Sequence, residues 1–226
     1  MSIIYPVEKV VLPNDLQGLS NGQLPAGLLR KIKPYGLLHY RAATAWEAMC
    51  QAAKAEAGIE LTHVGAYRSF EEQLVLFKSR YSPKPTGDPR NITRTYEGKT
   101  WHLKKGMAPA GSPGTSNHGW GIAIDCALFV GRKTVPITAD PDGKGGLQSG
   151  LEWLLVNAKR FGFSWEVASG AQAEAWHIRL VTGDQPTEAV RAYGGGMPVP
   201  AEEVTSKDVK KAKKQNKKGK KLQATP

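Results

Sequence analysis

The amino-acid sequence predicts one α+β domain in which helices pack against a small, mainly antiparallel β-sheet. Two observations support this class: some segments carry apolar residues at helical spacing, and others are short runs of β-forming residues. The chain has 226 residues, which is enough to bury one good core and favours one domain with tails. No run of the sequence approaches the roughly 18 apolar residues that a membrane-spanning helix needs.

Apolar residues at helical spacing define the helices. The first helix is rich in alanine and is followed by Gly58, a residue typical of helix ends. The second begins at Ser69, because Ser69 and Glu72 have the spacing of a capping box. The predicted helices cover residues 39–57, 69–80, 148–161 and 185–193.

Short β-rich runs define the strands. In the run that ends at Asp125, alternate side chains lie on opposite faces, so Ile122 and Ile124 enter the core and Asp125 faces away from it. The same alternation in the run after Glu174 puts His177 on the face away from the core. The predicted strands cover residues 60–67, 122–125, 163–167 and 176–181.

Two long segments have few periodic signals and are predicted as loops. Residues 82–115 are rich in proline, glycine and basic residues, and residues 94–103 within them predict a small hairpin that turns at Glu97 and Gly98. A loop of this length in a compact domain is usually functional or mobile, so we expect it to form one wall of a groove. Residues 131–146 are the second predicted loop.

The ends of the chain differ in composition from the middle. Residues 1–36 contain four prolines and are predicted to form an extended arm that wraps the domain, which we assign to residues 37–196. Residues 197–226 are rich in Lys and nearly free of apolar residues, and we expect them to be disordered. From residue 201 onward, nine lysines against three acidic residues leave +6 of the net charge of +11.

Four polar residues interrupt the apolar pattern. Asp125 closes an apolar run, where a bare charge is costly to bury unless something binds it. The glycines after His118 let the chain turn its imidazole back towards Asp125, and His177 has a similar place on its own strand. Two imidazoles and one carboxylate match a common catalytic zinc set, which leaves one position for water. Glu174 is a separate carboxylate that can take the proton from that water.

The order and spacing of these residues resemble a known signature. The pattern S-x-H-x-x-G-x-A-x-D, which ends at Asp125, and the pattern E-x-W-H, which begins at Glu174, are similar to those of the D-alanyl-D-alanine carboxypeptidases and the related LAS group of zinc peptidases. The resemblance covers residues 24–190. It implies a hedgehog- or DD-peptidase-like fold, Glu174 as the catalytic base, and zinc held by His118, Asp125 and His177.

The same resemblance implies residues that bind substrate. Arg68, in a Tyr-Arg-Ser element before the second helix, is expected to hold a carboxylate or carbonyl and to assist catalysis, because a planar guanidinium suits a carboxylate. A structural role at the helix start is the alternative. Gln73 is a weaker candidate for the same wall. Ser116 either donates to the substrate or only shapes its turn, and Trp176 is expected to hold the base and ligand in place and to line the cleft.

The resemblance also implies a function. We expect a zinc-dependent hydrolase of a peptidoglycan stem peptide, either a D-Ala-D-Ala carboxypeptidase or an L-Ala-D-Glu-type endopeptidase, whose basic loop suits the carboxylates of such a peptide. The first residues have neither a basic n-region nor a long apolar h-region, so we expect synthesis in the cytoplasm without a signal peptide. A monomeric phage endolysin or tail-associated lysin, released by a holin or delivered by a phage particle, fits this expectation.

Other readings remain open from the sequence. Non-haem iron sites also use two histidines and a carboxylate, although commonly with a tight H-x-D spacing and no spare glutamate. A non-catalytic wall-binding module with a structural metal is a second alternative, against which Glu174 argues. The Lys-rich tail suits contact with an anionic cell wall; nucleic acid ranks lowest as its partner, because no aromatic residues interleave the lysines.

Overall fold

The protein is described by a computed structural model that covers residues 3–139, 148–170 and 172–194. It confirms the α+β class, with helices against small antiparallel sheets. Among these residues, no helix has the length and apolar character that crossing a membrane requires. The helices are α1 (Tyr40–Ala57), α2 (Phe70–Arg80), α3 (Ser149–Asn157) and α4 (Glu188–Gly194). The strands are β1 (Leu29–Lys31), β2 (Leu37–His39), β3 (Leu61–Gly65), β4 (Tyr81–Ser82), β5 (Thr93–Tyr96), β6 (Lys99–Leu103), β7 (Ala123–Val130), β8 (Lys133–Pro136), β9 (Phe163–Trp165) and β10 (His177–Leu180).

The main sheet sets the positions of the polar residues on β7 and β10. Its strands lie in the order β3-β7-β10-β9, with β8 paired to the C-terminal half of β7, and every pair is antiparallel. His177 lies opposite Asp125, and Ile178 lies opposite Ile124. Directly opposite residues share a face of the sheet, so strand pairing alone places two candidate metal ligands side by side.

The core lies on the other face of this sheet. Ile122, Ile124 and Ile178 have no exposed surface and belong to one apolar cluster, as their alternation predicted. Helix α1 contributes several fully buried alanines to the same cluster, and small side chains let a helix approach its neighbours closely. Gly58 ends α1 with a left-handed φ of 68°, the conformation that favours glycine after a helix.

A second, three-stranded sheet occupies part of the segment predicted as a loop. Its order is β4-β6-β5, and the predicted hairpin turns at Glu97 and Gly98, with φ of 51° and 68°. Phe77, Tyr81 and Leu103 form a small buried apolar cluster between this sheet and α2. The segment that was expected to form the groove wall therefore packs on an apolar cluster of its own.

The loop predictions were wrong in extent. Strands β5 and β6 confirm the predicted hairpin, but the pairing of β4 with β6 was not predicted, and residues 133–136 form β8 at the edge of the main sheet. Most residues of β8 are exposed, so the strand has no apolar alternation from which the sequence could have predicted it. Residues 140–147 of the second predicted loop lie outside the described residues.

The N-terminal arm runs along the domain, but it is not extended throughout. Strand β1 pairs with β2 in a short hairpin, and Val7 forms a bridge with Trp165 of β9. The tail at residues 197–226 lies outside the described residues, so its disorder stays a prediction.

Asp15 fastens the arm to the start of α1. Its Oδ1 lies 3.0 Å from His39 Nε2, and its Oδ2 accepts a hydrogen bond of 2.7 Å from the Tyr40 hydroxyl. Both partners are buried. Burial, together with the bond to Asp15, raises the pKa of Tyr40 to about 12, so the phenol remains a donor.

Asp15→Ala is expected to lower the free energy of unfolding by about 1–3 kcal/mol, because it leaves buried polar groups without partners. Chemical denaturation measures the change. Tyr40→Phe removes one of the same two bonds, so the double variant should cost less than the sum of the single variants. Wild-type stability in Asp15→Ala would contradict the anchoring role.

Candidate active site

His118 lies in a short 3-10 turn, Asn117–Trp120, immediately before β7. The Ser116 hydroxyl begins the turn by accepting a hydrogen bond of 3.3 Å from the His118 N–H. Gly121 ends it with a φ of 64°, and a Cβ at this position would lie only 2.7 Å from the backbone nitrogen of His39. Glycine is therefore required here, and the tight turn directs the imidazole back to β7.

Three side chains converge on one point. Asp125 Oδ1 lies 3.3 Å from His118 Nε2 and 3.0 Å from His177 Nδ1, and one donor atom from each residue lies within 4.8 Å of the other two. Both histidines are buried. Zinc is held by imidazole nitrogens and carboxylate oxygens at about 2.0–2.2 Å, so this donor set fits the ion.

The other ring nitrogen of each histidine has its own partner. His118 Nδ1 lies 2.7 Å from the carbonyl oxygen of Ala66. A carbonyl only accepts, so Nδ1 carries the hydrogen and Nε2 presents its lone pair to the shared point. His177 Nε2 lies 3.3 Å from Glu166 Oε2, which leaves His177 Nδ1 for the shared point. Such outer partners are typical of metal-binding histidines.

Asp125 and His177 shift each other's pKa values. Burial acts to raise the pKa of Asp125, but the adjacent imidazoles of His118 and His177 outweigh it and hold that pKa far below its usual range. Burial acts to lower the pKa of His177, yet its bonds to Asp125 and Glu166 raise it to about 9. A metal ion binds only a deprotonated imidazole nitrogen, so a divalent cation would compete with protons for this site.

Glu174 lies in the turn that leads into β10, where its carbonyl oxygen accepts a hydrogen bond of 3.1 Å from the His177 N–H. Its side chain lines the same groove as the three converging residues. Burial raises the pKa of Glu174, although His177 opposes the shift. A carboxylate with a raised pKa beside a metal site is suited to accept a proton and return it.

The groove that contains these groups has a volume of about 630 Å³. Arg68, Ser116 and Trp176 line it, in the places that the sequence suggested. Gln73 does not: it is 2% exposed, accepts a hydrogen bond of 2.8 Å from Arg68 Nη1 and donates one of 2.8 Å to the carbonyl oxygen of Gly111. Gln73 therefore holds Arg68 in place from behind, a different position from the one expected on the wall.

The sequence reasoning missed Glu166, which follows β9. Its carboxylate accepts a hydrogen bond of 2.9 Å from Asn117 Nδ2 and lies 3.7 Å from Arg179 Nη1, besides its contact with His177. The bond from His177 is the largest cause that lowers the pKa of Glu166 to about 2. A carboxylate at the end of an apolar strand is the signal that singled out Asp125, and it could have found Glu166 as well.

Two imidazoles and a carboxylate converge on one point, and a further glutamate lines the same groove. This is the arrangement of metal-dependent hydrolases. Residues 36–183 match the family model described as VanY, D-alanyl-D-alanine carboxypeptidase. The match covers more than half of the chain, and the chain belongs to this family.

Individual relatives are more distant. The YodJ protein of Bacillus subtilis (strain 168), whose name assigns it to the carboxypeptidases, is 31% identical over 150 residues. That match covers 62% of this chain and 45% of YodJ, so the chain spans less than half of the relative's length. The solved structure of LdcB, an LD-carboxypeptidase studied for peptidoglycan recognition, has a TM-score of 0.45 at 22% identity and covers 83% of this chain and 73% of its own. VanYB in complex with D-alanine-D-alanine has a TM-score of 0.43 at 18% identity, with 81% and 90% covered.

Glu166→Gln is expected to weaken zinc binding about 10- to 100-fold, because it removes the carboxylate that orients His177. Competition with a chromogenic chelator measures the affinity. Glu152→Gln, which changes an exposed carboxylate on α3, is the matched control and should bind zinc as the wild type does. Equal affinity in Glu166→Gln and Glu152→Gln would show that Glu166 does not orient the ligand.

Proposed function

We propose that the protein is a zinc-dependent peptidase that hydrolyses an amide bond of a peptidoglycan stem peptide. The observation that carries the proposal is the presence of Glu174 in one groove with His118, Asp125 and His177. Membership of a family described by action on D-alanyl-D-alanine supports the substrate class.

The chain supplies the proton transfers. Zinc held by His118, Asp125 and His177 would provide a Lewis acid that acidifies water and polarises a carbonyl. Glu174 takes the proton from the attacking water and passes it to the leaving amine. The burial that raises the pKa of Glu174 helps it to hold the proton between these two steps.

Arg68 orients the substrate. Its guanidinium is braced by Gln73 at 2.8 Å, and its backbone N–H donates to the His118 carbonyl oxygen at 3.2 Å, so its position is fixed relative to the metal ligands. A planar guanidinium pairs with a carboxylate through two parallel hydrogen bonds. If Arg68 pairs with a terminal carboxylate of the substrate, the hydrolysed amide bond is the one next to the end of the peptide. This favours a D-Ala-D-Ala carboxypeptidase over an L-Ala-D-Glu-type endopeptidase. Mass spectrometry of digested wall fragments distinguishes the two.

Glu174→Ala is expected to reduce kcat on a synthetic stem pentapeptide at least about 100-fold, the usual contribution of a general base, while the zinc content stays at the wild-type value. Release of D-alanine measures turnover, and atomic absorption measures zinc. Glu152→Ala is the control and should retain turnover.

The same assay tests the alternative of a wall-binding module with a structural metal. Such a module would bind purified walls but release no product before or after chelation. A fully active Glu174→Ala protein would remove the proposed base from the mechanism.

We also propose a biological setting in which the enzyme degrades walls as a phage endolysin or tail-associated lysin. The net charge of +11 supports this setting, because a basic protein is attracted to anionic wall polymers. Deletion of residues 197–226 is expected to weaken adsorption to whole walls at low salt and to leave hydrolysis of soluble stem peptides unchanged. Sedimentation with walls over a salt series measures adsorption, and undiminished adsorption would contradict a role for the tail.

A further inference from the structure

The groove that holds the metal ligands also has a strongly basic wall. Four arginines line it: Arg68, Arg80, Arg90 and Arg94. Arg80 is the last residue of α2, and Arg94 lies on β5 of the second sheet. The acidic lining residues belong instead to the elements that carry or adjoin the metal ligands.

The four arginines differ in their partners. Arg90 is already neutralised, because its Nε and Nη2 donate to the two carboxylate oxygens of Asp88 at 2.9 and 2.7 Å. Within the described part of the chain, Arg80 and Arg94 have no carboxylate at ion-pair distance. Among the residues that the structure describes, the guanidinium of Arg80 donates only to the carbonyl oxygen of Pro109, and that of Arg94 only to the carbonyl oxygen of Thr93, each at 3.0 Å.

Both unpaired guanidiniums are mounted on packed structure near the reacting groups. Arg80 ends α2, and Phe77, three residues earlier on this helix, belongs to the buried apolar cluster beneath the second sheet. Arg94 is partly buried on the same side of β5 as Ile92 and Tyr96, which pack on the apolar cluster beneath the second sheet. Cationic groups held in this way lose little freedom when they bind an anion.

We propose that Arg80 and Arg94 form a binding site for a second carboxylate of the substrate, separate from the group that Arg68 holds. The enzyme would then prefer stem peptides whose glutamyl residue keeps a free carboxylate over peptides in which that group is amidated. Guanidinium suits this ligand because its fixed fork of donors matches a planar carboxylate. The inference rests on the proposed peptidase function and names the substrate within it.

Two synthetic stem pentapeptides test this inference, one with a free glutamyl α-carboxylate and one with a carboxamide there. For the wild type, kcat/KM should be roughly ten-fold higher for the free carboxylate, which corresponds to one charge-assisted pair. The difference should lie mainly in KM, because a carboxylate that takes no part in the reaction is bound equally in the ground state and the transition state. Arg80→Ala and Arg94→Ala should each move the ratio towards one, and Arg94→Lys should restore part of it.

Lys99→Ala is the matched control, because Lys99 is an exposed cation on the same sheet that does not line the groove. It should keep the wild-type ratio. Circular dichroism and zinc content verify each variant, and if Arg80→Ala fails to fold, the two Arg94 variants carry the test. Equal kcat/KM for the two peptides, or an equal loss on both in Arg94→Ala, would overturn the inference.

Calorimetric binding to zinc-loaded Glu174→Gln separates this inference from the proposed function. If the wild type cleaves neither peptide but Glu174→Gln binds the peptide with the free carboxylate roughly ten-fold more tightly, the binding site stands and the proposed reaction fails. If both peptides are cleaved and bound equally, the reaction stands and the second carboxylate site fails. If the wild type cleaves neither peptide and Glu174→Gln binds neither, both the proposed reaction and the second carboxylate site fail.

Discussion

A half-buried carboxylate between two imidazoles is the interaction on which the rest of the site depends. Asp125 is stable in this place only because His118 and His177 lie within 3.3 Å of one of its oxygens, since burying a charge without partners is costly. The pairing requires the β7–β10 register, because a slip of one residue would turn Asp125 into the core. It also requires glycine at Gly65 on β3, where a Cβ would collide with the second carboxylate oxygen.

Several hydrogen bonds from outside this centre orient the side chains of the site. The carbonyl oxygen of Ala66 fixes one imidazole, and Glu166 fixes the other. Gln73 holds Arg68, and the same side chain holds the segment around Gly111 that forms part of the groove wall. The catalytic groups, their supports and the groove wall are thus linked by direct hydrogen bonds, which explains how a site drawn from distant parts of the chain can be well ordered.

The sequence predicted the centre of the site better than its surroundings, for physical reasons. A charge at the end of an apolar strand is costly wherever it lies, so Asp125 was conspicuous, and alternation placed His177 on the same face. The predicted hairpin of the second sheet is present, but β4 and β8 were missed, because β4 is only two residues long and β8 is mostly exposed. Gln73 was a weaker candidate for the same wall as Arg68, but the sequence does not tell which side of α2 faces the groove. Asp88, which neutralises Arg90, lies only two residues away, but the lack of a carboxylate partner at Arg80 and Arg94 among the described residues depends on tertiary neighbours and could not be predicted.

The arm takes part in this architecture as well. Asn21 Nδ2 donates to the Ser116 carbonyl oxygen at 2.8 Å, and the Gly22 N–H donates to the Gly119 carbonyl oxygen at 2.9 Å, so the arm clamps both ends of the turn that carries His118. The family match, however, begins only at residue 36. A domain boundary placed at residue 36 would include His118, Asp125 and His177. It would exclude Asn21 and Gly22, whose hydrogen bonds hold the turn that carries His118. In this chain, a substitution at Asn21 or Gly22 would therefore act on the metal centre from outside the segment that defines the family.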